Sequence, residues 1–417
     1  MRKKFIKNKI GFIHPADWVI TKIGEITDIN VSSLGTKTDP EKEISYIDLG
    51  SVNEGQIDQP VDNFKYKNAP SRARRIVSSH DVLMSTVRPN LNGFARAKDD
   101  IDGYICSTGF AVLSPKNEID SKYIFQSLFT ETFQRQFYQL LVGSSYPAIN
   151  NSDVKKLYLA IPTNHEERKA IVEVLTTWDE AISKTEKLIQ AKKRYKKGMM
   201  QRLLSGKVRF PEFEGEEWVE VKLKDIFTRI RDKNEGKAEN VLTISSKGGF
   251  LDQTDKFGGV IAGKNLKNYT YIEKGDFAYN KGNSLTYPQG CIFKLEDYEH
   301  AVVPNVYYCF RAKNDDVNTD FYKYYFELGL LNPQLKKVIN MGVRNDGLLN
   351  LSAKDFFNIK VEKPSYTEQK IIADAIEPFD KEIELLSSKL EAIKKQKKGL
   401  MQKLLTGKVR VNNLEKA

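Results

Sequence analysis

The chain has 417 residues and a formal charge of +11, with 40% of its residues apolar and 29% charged. That is enough apolar material to build cores for two or three domains, which excludes a disordered polypeptide. Mean hydropathy is −0.49, and there is no apolar run of membrane-spanning length and no short apolar stretch behind the basic start MRKKFIKNKIGF; the sequence predicts a soluble, cytoplasmic protein with no membrane partner.

Residues 1–162 read as a first globular domain. Short alternating apolar runs at 44–49 and 109–113, bounded by Gly, Asn, Asp and Pro, predict strands, and 121–141, with Tyr123, Ile124, Leu128, Phe137 and Leu141 in helical spacing, predicts a helix. Residues 163–210 form a long helical segment. Asn164 or Thr163 caps its start, Glu166 and Glu167 suit the positive end of the helix dipole, and Gly206 closes it among lysines and arginines. Residues 211–364 repeat the globular pattern, with strands expected at 241–244 and 302–310. A helix is expected at 320–338 through Phe321, Tyr325, Leu328 and Leu335. Residues 365–411 form a second long helix, entered by Ser365 or Thr367 before Glu368 and ended at Gly407; 412–417 are a tail. The fold class is therefore mixed α/β (α+β): two globular domains and two long helices.

The plan is an internal duplication. The string K-K-G-x-M-Q-x-L-L-x-G-K-V-R occurs at 196–209 and again at 397–410, and Trp18-Val-Ile-Thr-Lys matches Trp218-Val-Glu-Val-Lys two hundred positions on. Both long helices carry a heptad seam. In the second it runs Ile372, Ile376, Phe379, Ile383, Leu386, Leu390, Ile393, Lys397, Leu400 and Leu404. In the first it runs Ile171, Leu175, Trp178, Ile182, Thr185, Ile189, Lys192, Lys196, Met199 and Leu203, with more polar entries. Neither seam is left in water, so the two helices are expected to pair with each other.

Two short segments hold the whole positive excess. Residues 192–209 carry eight Lys or Arg and no acid, and 394–410 carry seven and no acid, so the rest of the chain is slightly acidic. A basic balance of this kind points to a polyanion partner, with any nucleic-acid surface elsewhere confined to local patches.

The repeated helix ends, Arg209-Phe-Pro-Glu-Phe running into Trp218, Cys106-Ser-Thr-Gly-Phe-Ala-Val-Leu, and Ile161-Pro before Glu167 with its partner Pro364 before Glu368 together carry a resemblance. The sequence resembles the specificity subunit of type I restriction-modification systems over nearly its whole length. The resemblance implies two target recognition domains, each reading one half of a split double-stranded DNA sequence. It implies that an antiparallel coiled-coil pair of conserved helices spaces them and docks two methyltransferase subunits, with restriction and translocase subunits joining in the full complex. The chain itself would hold no cofactor; S-adenosylmethionine, ATP and Mg²⁺ belong to the partner subunits. The second domain lacks the Cys-Ser-Thr-Gly-Phe string.

Physical geometry agrees with that reading. Two similar domains exchanged by an antiparallel helix pair are related by a pseudo-two-fold axis, as are the strands of duplex DNA. Helices of roughly 57 Å are long enough to span half-sites about 34 Å apart.

Base contacts call for Arg, Lys, Asn, Gln and Ser in loops near Gly or Pro. In the first domain the candidates are Arg72, Arg74 and Arg75; Arg88, Asn90, Asn92 and Arg96; and Ser144, Ser145 and Tyr146 beside Gly143. In the second they are Lys264, Asn265 and Lys267; Asn280, Lys281, Asn283 and Ser284; and Arg344 with Asn345. For helix pairing and partner binding the candidates are Lys196, Lys197, Met200, Gln201, Leu203 and Leu204, and their counterparts Lys397, Lys398, Met401, Gln402, Leu404 and Leu405.

Enzyme motifs are missing. There is no G-x-x-x-x-G-K-[ST] or G-x-G-x-x-G string, and no N-P-P-Y or D-P-P-Y string of the kind that holds a flipped adenine. Glu220-Val-Lys222 with Glu212 only superficially resembles a nuclease metal site. Cys106, Cys291 and Cys309 show no C-x-x-C spacing and the histidines are scattered, so neither a disulfide framework nor a metal site is expected. The rival to a sequence reader is a coiled-coil scaffold that bridges DNA without specificity.

Overall fold

The computed structural model describes residues 5–7, 13–53, 55–88, 92–141, 147–236, 239–245, 248–259, 263–282, 286–339 and 348–411, without the side chains of 7, 257 and 263–265. The chain divides into two compact units, Met1–Glu186 with Ser388–Ala417, and Lys187–Ser387. Each long helix contributes one half to each unit.

In the first unit an antiparallel sheet has the order Phe94–Arg96, Val82–Ser85, Phe110–Pro115, Thr27–Ile29. A second sheet runs Asp62–Lys65, Glu43–Ile47, Ile105–Ser107, Ala73–Ile76, with Ile105–Ser107 parallel to Glu43–Ile47. Strand alternation sends Val82, Met84, Phe94 and Leu113 to one face, under Ile124, Leu128, Phe133 and Phe137. It sends Leu83, Ala95 and Val112 to the other, against Ile47 and Cys106. Both faces of the first sheet are therefore buried.

The second unit repeats the first sheet in the same order: Cys291–Lys294, Phe277–Asn280, Tyr308–Ala312, Phe227–Ile230. Register makes the positions correspond. Val82 faces Leu113, which faces Ile29, as Phe277 faces Phe310, which faces Arg229. The duplicated Trp motifs form matching pairs, Trp18–Lys22 with Tyr158–Pro162 and Val219–Lys222 with Lys360–Lys363.

Three predicted elements are subdivided. The segment 121–141 is two helices, Glu118–Ser127 and Glu131–Gln139, because the Thr130 hydroxyl leaves the helical pattern to accept from Phe133 N and cap the second. The segment 320–338 is Thr319–Glu327 and Asn332–Val338, parted by Gly329 at φ +78° with Pro333 in the next first turn. The run 302–310 is two strands, His300–Val303 and Tyr308–Ala312, because Pro304 has no N–H for a ladder and opens a turn closed by Tyr307 N.

The long helices are His165–Leu203 and Tyr366–Leu404. Asn164 Oδ1 accepts from Glu166 N and Ser365 Oγ from Glu368 N, whereas Thr163 bonds instead to Asp17 O. Each ends on a left-handed glycine, Gly206 at +66° and Gly407 at +68°. Val208 N and Val409 N there reach back to Arg202 O and Lys403 O. Every heptad-seam position is buried or half-buried.

Ion pairs fix the direction within each unit. In the first, Glu167, Asp179 and Glu186 meet Arg410, Lys397 and Lys394; in the second, Lys192, Lys196 and Arg209 meet Glu382, Asp380 and Glu368. One segment ascends as the other descends, so the paired halves are antiparallel. Among the described residues no helix is long and apolar enough to cross a membrane.

Candidate nucleic-acid interface

In each unit one buried aspartate builds the turn into the central strand that leads to a candidate loop. Asp81 Oδ2 accepts from Ser78 N at 2.8 Å, and Asp276 Oδ2 accepts from Glu273 N at 2.7 Å. Burial raises both carboxyls above the ordinary range. The strands they open, Val82–Ser85 and Phe277–Asn280, run out at Arg88 and Lys281.

There the fold joins candidate clusters that lie far apart in sequence. Val87 bridges Ala148, with Arg88 N donating to Pro147 O and Ile149 N to Thr86 O. Gly282 bridges Leu348, with Leu349 N donating to Lys281 O at 2.9 Å. The segment after Ser144, Ser145 and Tyr146 thus meets the end of the strand at Thr86–Arg88, and the segment after Arg344 and Asn345 meets Lys281. Asn90, Ser144, Ser145, Tyr146, Asn283, Ser284, Arg344 and Asn345 themselves lie outside the described residues, as do the side chains of Lys264 and Asn265.

Around the first of these junctions sits the Cys106-Ser-Thr-Gly turn. Gly109 O accepts both the N–H and the hydroxyl of Thr86, and Thr108 N donates to Arg72 O. This brings exposed Arg72 toward the loop that starts at exposed Arg88, whose backbone is left-handed at φ +48°. Arg74 lies 5.1 Å over the Tyr66 ring and donates to its hydroxyl at 2.6 Å. Arg75 is 8% exposed and opposite Cys106, and among the described residues its guanidinium has no hydrogen-bond acceptor; burial lowers its pKa.

Two candidates are committed elsewhere. Arg96 donates to Ser121 Oγ at 2.9 Å and meets His80 and Glu118, which fastens the helix Glu118–Ser127 to the sheet. Asn92 accepts from Gln134. In the second unit Lys267 is exposed, and Asn280 Oδ1 is turned back onto Gly282 N. Lys281 stands 4.6 Å from the Tyr308 ring centroid.

Sequence reading missed Arg229, whose guanidinium lies 5.1 Å from the same ring. The run Thr228-Arg-Ile-Arg231 offered a signal, but its alternation reads as an ordinary strand. Only the register of three strands shows that Arg229 and Lys281 flank the same Tyr308 ring.

The duplicated helix ends are used mainly within the chain. Met200, Leu203 and Leu204 join the aromatic core of the second unit, and Met401, Leu404 and Leu405 pack with Trp18, Tyr123 and Leu175 in the first. Lys196, 6% exposed, bonds to Glu327 at 2.7 Å and Asp380 at 2.6 Å, and Gln402 is bonded to Phe129 O and Glu131 N. The outward-facing members are Lys197, Gln201 and Lys398. Glu220, weighed for nuclease chemistry, is paired with Lys360.

Comparison with known proteins gives one consistent match. The model of the type I restriction modification DNA specificity domain matches residues 15–193 and 215–395. The chain is 25% identical to the MjaVIII specificity subunit of Methanocaldococcus jannaschii, covering 99% of this chain and 98% of that one. It is 25% identical to the HindI specificity subunit of Haemophilus influenzae over 40% of its length. In fold it is similar to a chain of a type I R-M system complex (TM-score 0.57, 20% identity, 95% and 99% coverage). It is also similar to the type I S subunit of M. genitalium (TM-score 0.53, 17% identity, 97% and 99% coverage).

Proposed function

The chain belongs to the type I restriction modification DNA specificity family, and from that premise we propose that it is the non-catalytic subunit that selects a bipartite DNA target. Each globular domain reads one half-site. The paired long helices set the spacing, relate the domains by a pseudo-two-fold axis, and dock two methyltransferase subunits, with restriction subunits joining the larger assembly. S-adenosylmethionine, ATP and Mg²⁺ act in those partners.

The observation that carries this reading is the repeated convergence of two separate loop segments at the end of the central strand, through Val87 with Ala148 and Gly282 with Leu348. The frame is the same in both units while the side chains it presents differ. That is the arrangement expected of two readers with different sequences to recognise. Outward-facing Lys197, Gln201 and Lys398 are the positions left to meet a partner subunit.

The test is single-molecule mapping of adenine methylation in cells that express the chain with its methyltransferase partner, repeated with residues 1–160 exchanged for another recognition domain. A split motif in which the exchange alters one half supports the reading. Absence of methylation from an assembled complex, or a change in both halves, favours a bridging scaffold.

A further inference from the structure

The equivalent sheets differ sharply along one diagonal. In the first unit the diagonal that crosses three neighbouring strands on one face runs through Ile29, Ala111 and Thr86, and its side chains carry no charge. In the second unit the same register positions hold Arg229, Tyr308 and Lys281. Both cations are half-buried, and they stand 5.1 Å and 4.6 Å from the Tyr308 ring centroid. The Tyr308 hydroxyl donates to Leu351 O at 2.6 Å and accepts from Lys281 Nζ at 3.4 Å.

Among the described residues neither cation forms an ion pair, and no carboxylate contributes to the surroundings of Arg229. Burial and neighbouring Arg231 both push its guanidinium below the ordinary value. The ring face offsets part of this cost, on the order of 0.5–2 kcal/mol per cation in such contacts. It cannot neutralise two charges. A base edge offers only partial charges, whereas a phosphodiester brings a full negative charge with acceptor oxygens for both side chains.

We propose that Arg229 and Lys281 together bind one backbone phosphate of the DNA, fixing the register of the second domain on its half-site without reading sequence. This rests on the reading of that domain as a DNA reader. It also gives the second domain an anchor that the first, with Ile29 and Thr86 in those places, does not have there.

The experiment uses the full chain assembled with its methyltransferase subunits, and duplexes with and without the methylated motif, titrated across a range of salt. Arg229→Gln and Lys281→Gln each weaken binding to both duplexes by the same factor, roughly tenfold, and lower the slope of log K against log salt by about one. Arg229→Lys restores most of the binding, and the methylated motif stays unchanged. Relaxed selectivity at one base of the second half-site overturns the proposal in favour of base readout, and unchanged affinity and slope overturn it outright. Should the glutamine variants fold poorly, a scan of single neutral methylphosphonates along the second half-site decides. One linkage weakens wild-type binding if the proposal holds, and a flat scan overturns it. A wild-type complex that methylates no split motif instead defeats the family-level reading, while the salt slopes on any duplex still judge the phosphate contact.

Discussion

Lys397 Nζ lies 2.6 Å from Asp179 Oδ1, two hundred and eighteen positions away in the chain. The duplication reproduces the contact as Lys196 with Asp380, also at 2.6 Å. Even the third member corresponds: Glu327 receives Lys196 where Gln126 donates to Asp179 at 2.5 Å. In each copy, a seam lysine of one long helix is therefore a donor matched to an aspartate of the facing helix.

The two copies are not energetically equal. Lys196 is 6% exposed and joins two carboxylates, and the Asp380 carboxylate it would leave behind is half-buried beside the Tyr324 hydroxyl. Asp179 retains Gln126 when its lysine is lost. Lys196→Met is expected to lower stability by about 3 kcal/mol, and Lys397→Met by about 1.5 kcal/mol. Urea unfolding of the two variants checks the order; equal losses would remove the argument.

Gly206 and Gly407 occupy the same place in the repeat and adopt the same left-handed backbone. A Cβ on Gly206 would meet nothing nearer than 3.8 Å, whereas one on Gly407 would fall 2.3 Å from Pro15 Cγ. Gly206→Ala is expected to cost about 1 kcal/mol of backbone strain, and Gly407→Ala to cost more through the added clash. Thermal unfolding distinguishes them.

Asp81 contributes a pH dependence of defined sign. Burial raises its native pKa above the ordinary value of 3.8, so the native state holds this proton more tightly than the unfolded chain does. Its contribution to stability then falls as pH rises from the unfolded value through the native one. Asp81→Asn stays neutral while keeping an oxygen for Ser78 N. The stability of the variant relative to wild type should therefore be more favourable at pH 7 than at pH 4, and a difference independent of pH would refute this.

The thiols should be inert in the folded protein. Burial pushes Cys106 up to about 12 and Cys291 up to about 11, and raises Cys309 as well. Ellman's reagent at pH 8 is expected to react slowly with Cys291, the one that is only half-buried, and with the others after unfolding in guanidinium. Rapid labelling of Cys106 in the native state would contradict the packing.

Local pattern made the frame legible before any coordinates. The long helices could be read because heptads, polar entries and closing glycines agree over dozens of residues, and the duplication because Trp18 and Trp218 keep their surroundings. The breaks at Thr130 and Gly329 were not legible, since both sit inside apolar spacing that continues across them. Nor was the inward role of Lys196, because a lysine in a basic run reads as solvated until Glu327 and Asp380 are brought to it by the fold. Candidate loops such as the one at Arg88 were visible from composition. Convergence through Val87 and Ala148, and the placing of Arg229 and Lys281 on either side of Tyr308, depend on strand order and register, which short strands specify only in three dimensions.

One compact unit is the uninterrupted stretch 187–387, while the other is made of the two flanking stretches. A gene carrying this plan can exchange the inner block by two crossovers placed in helical codons. The imported block brings the helix halves that brace it, and the outer unit keeps its own pairs of Glu167 with Arg410 and Asp179 with Lys397. Heptad phase at the two joints is the condition such an exchange must meet, so new combinations can arise by recombination without redesign of either core.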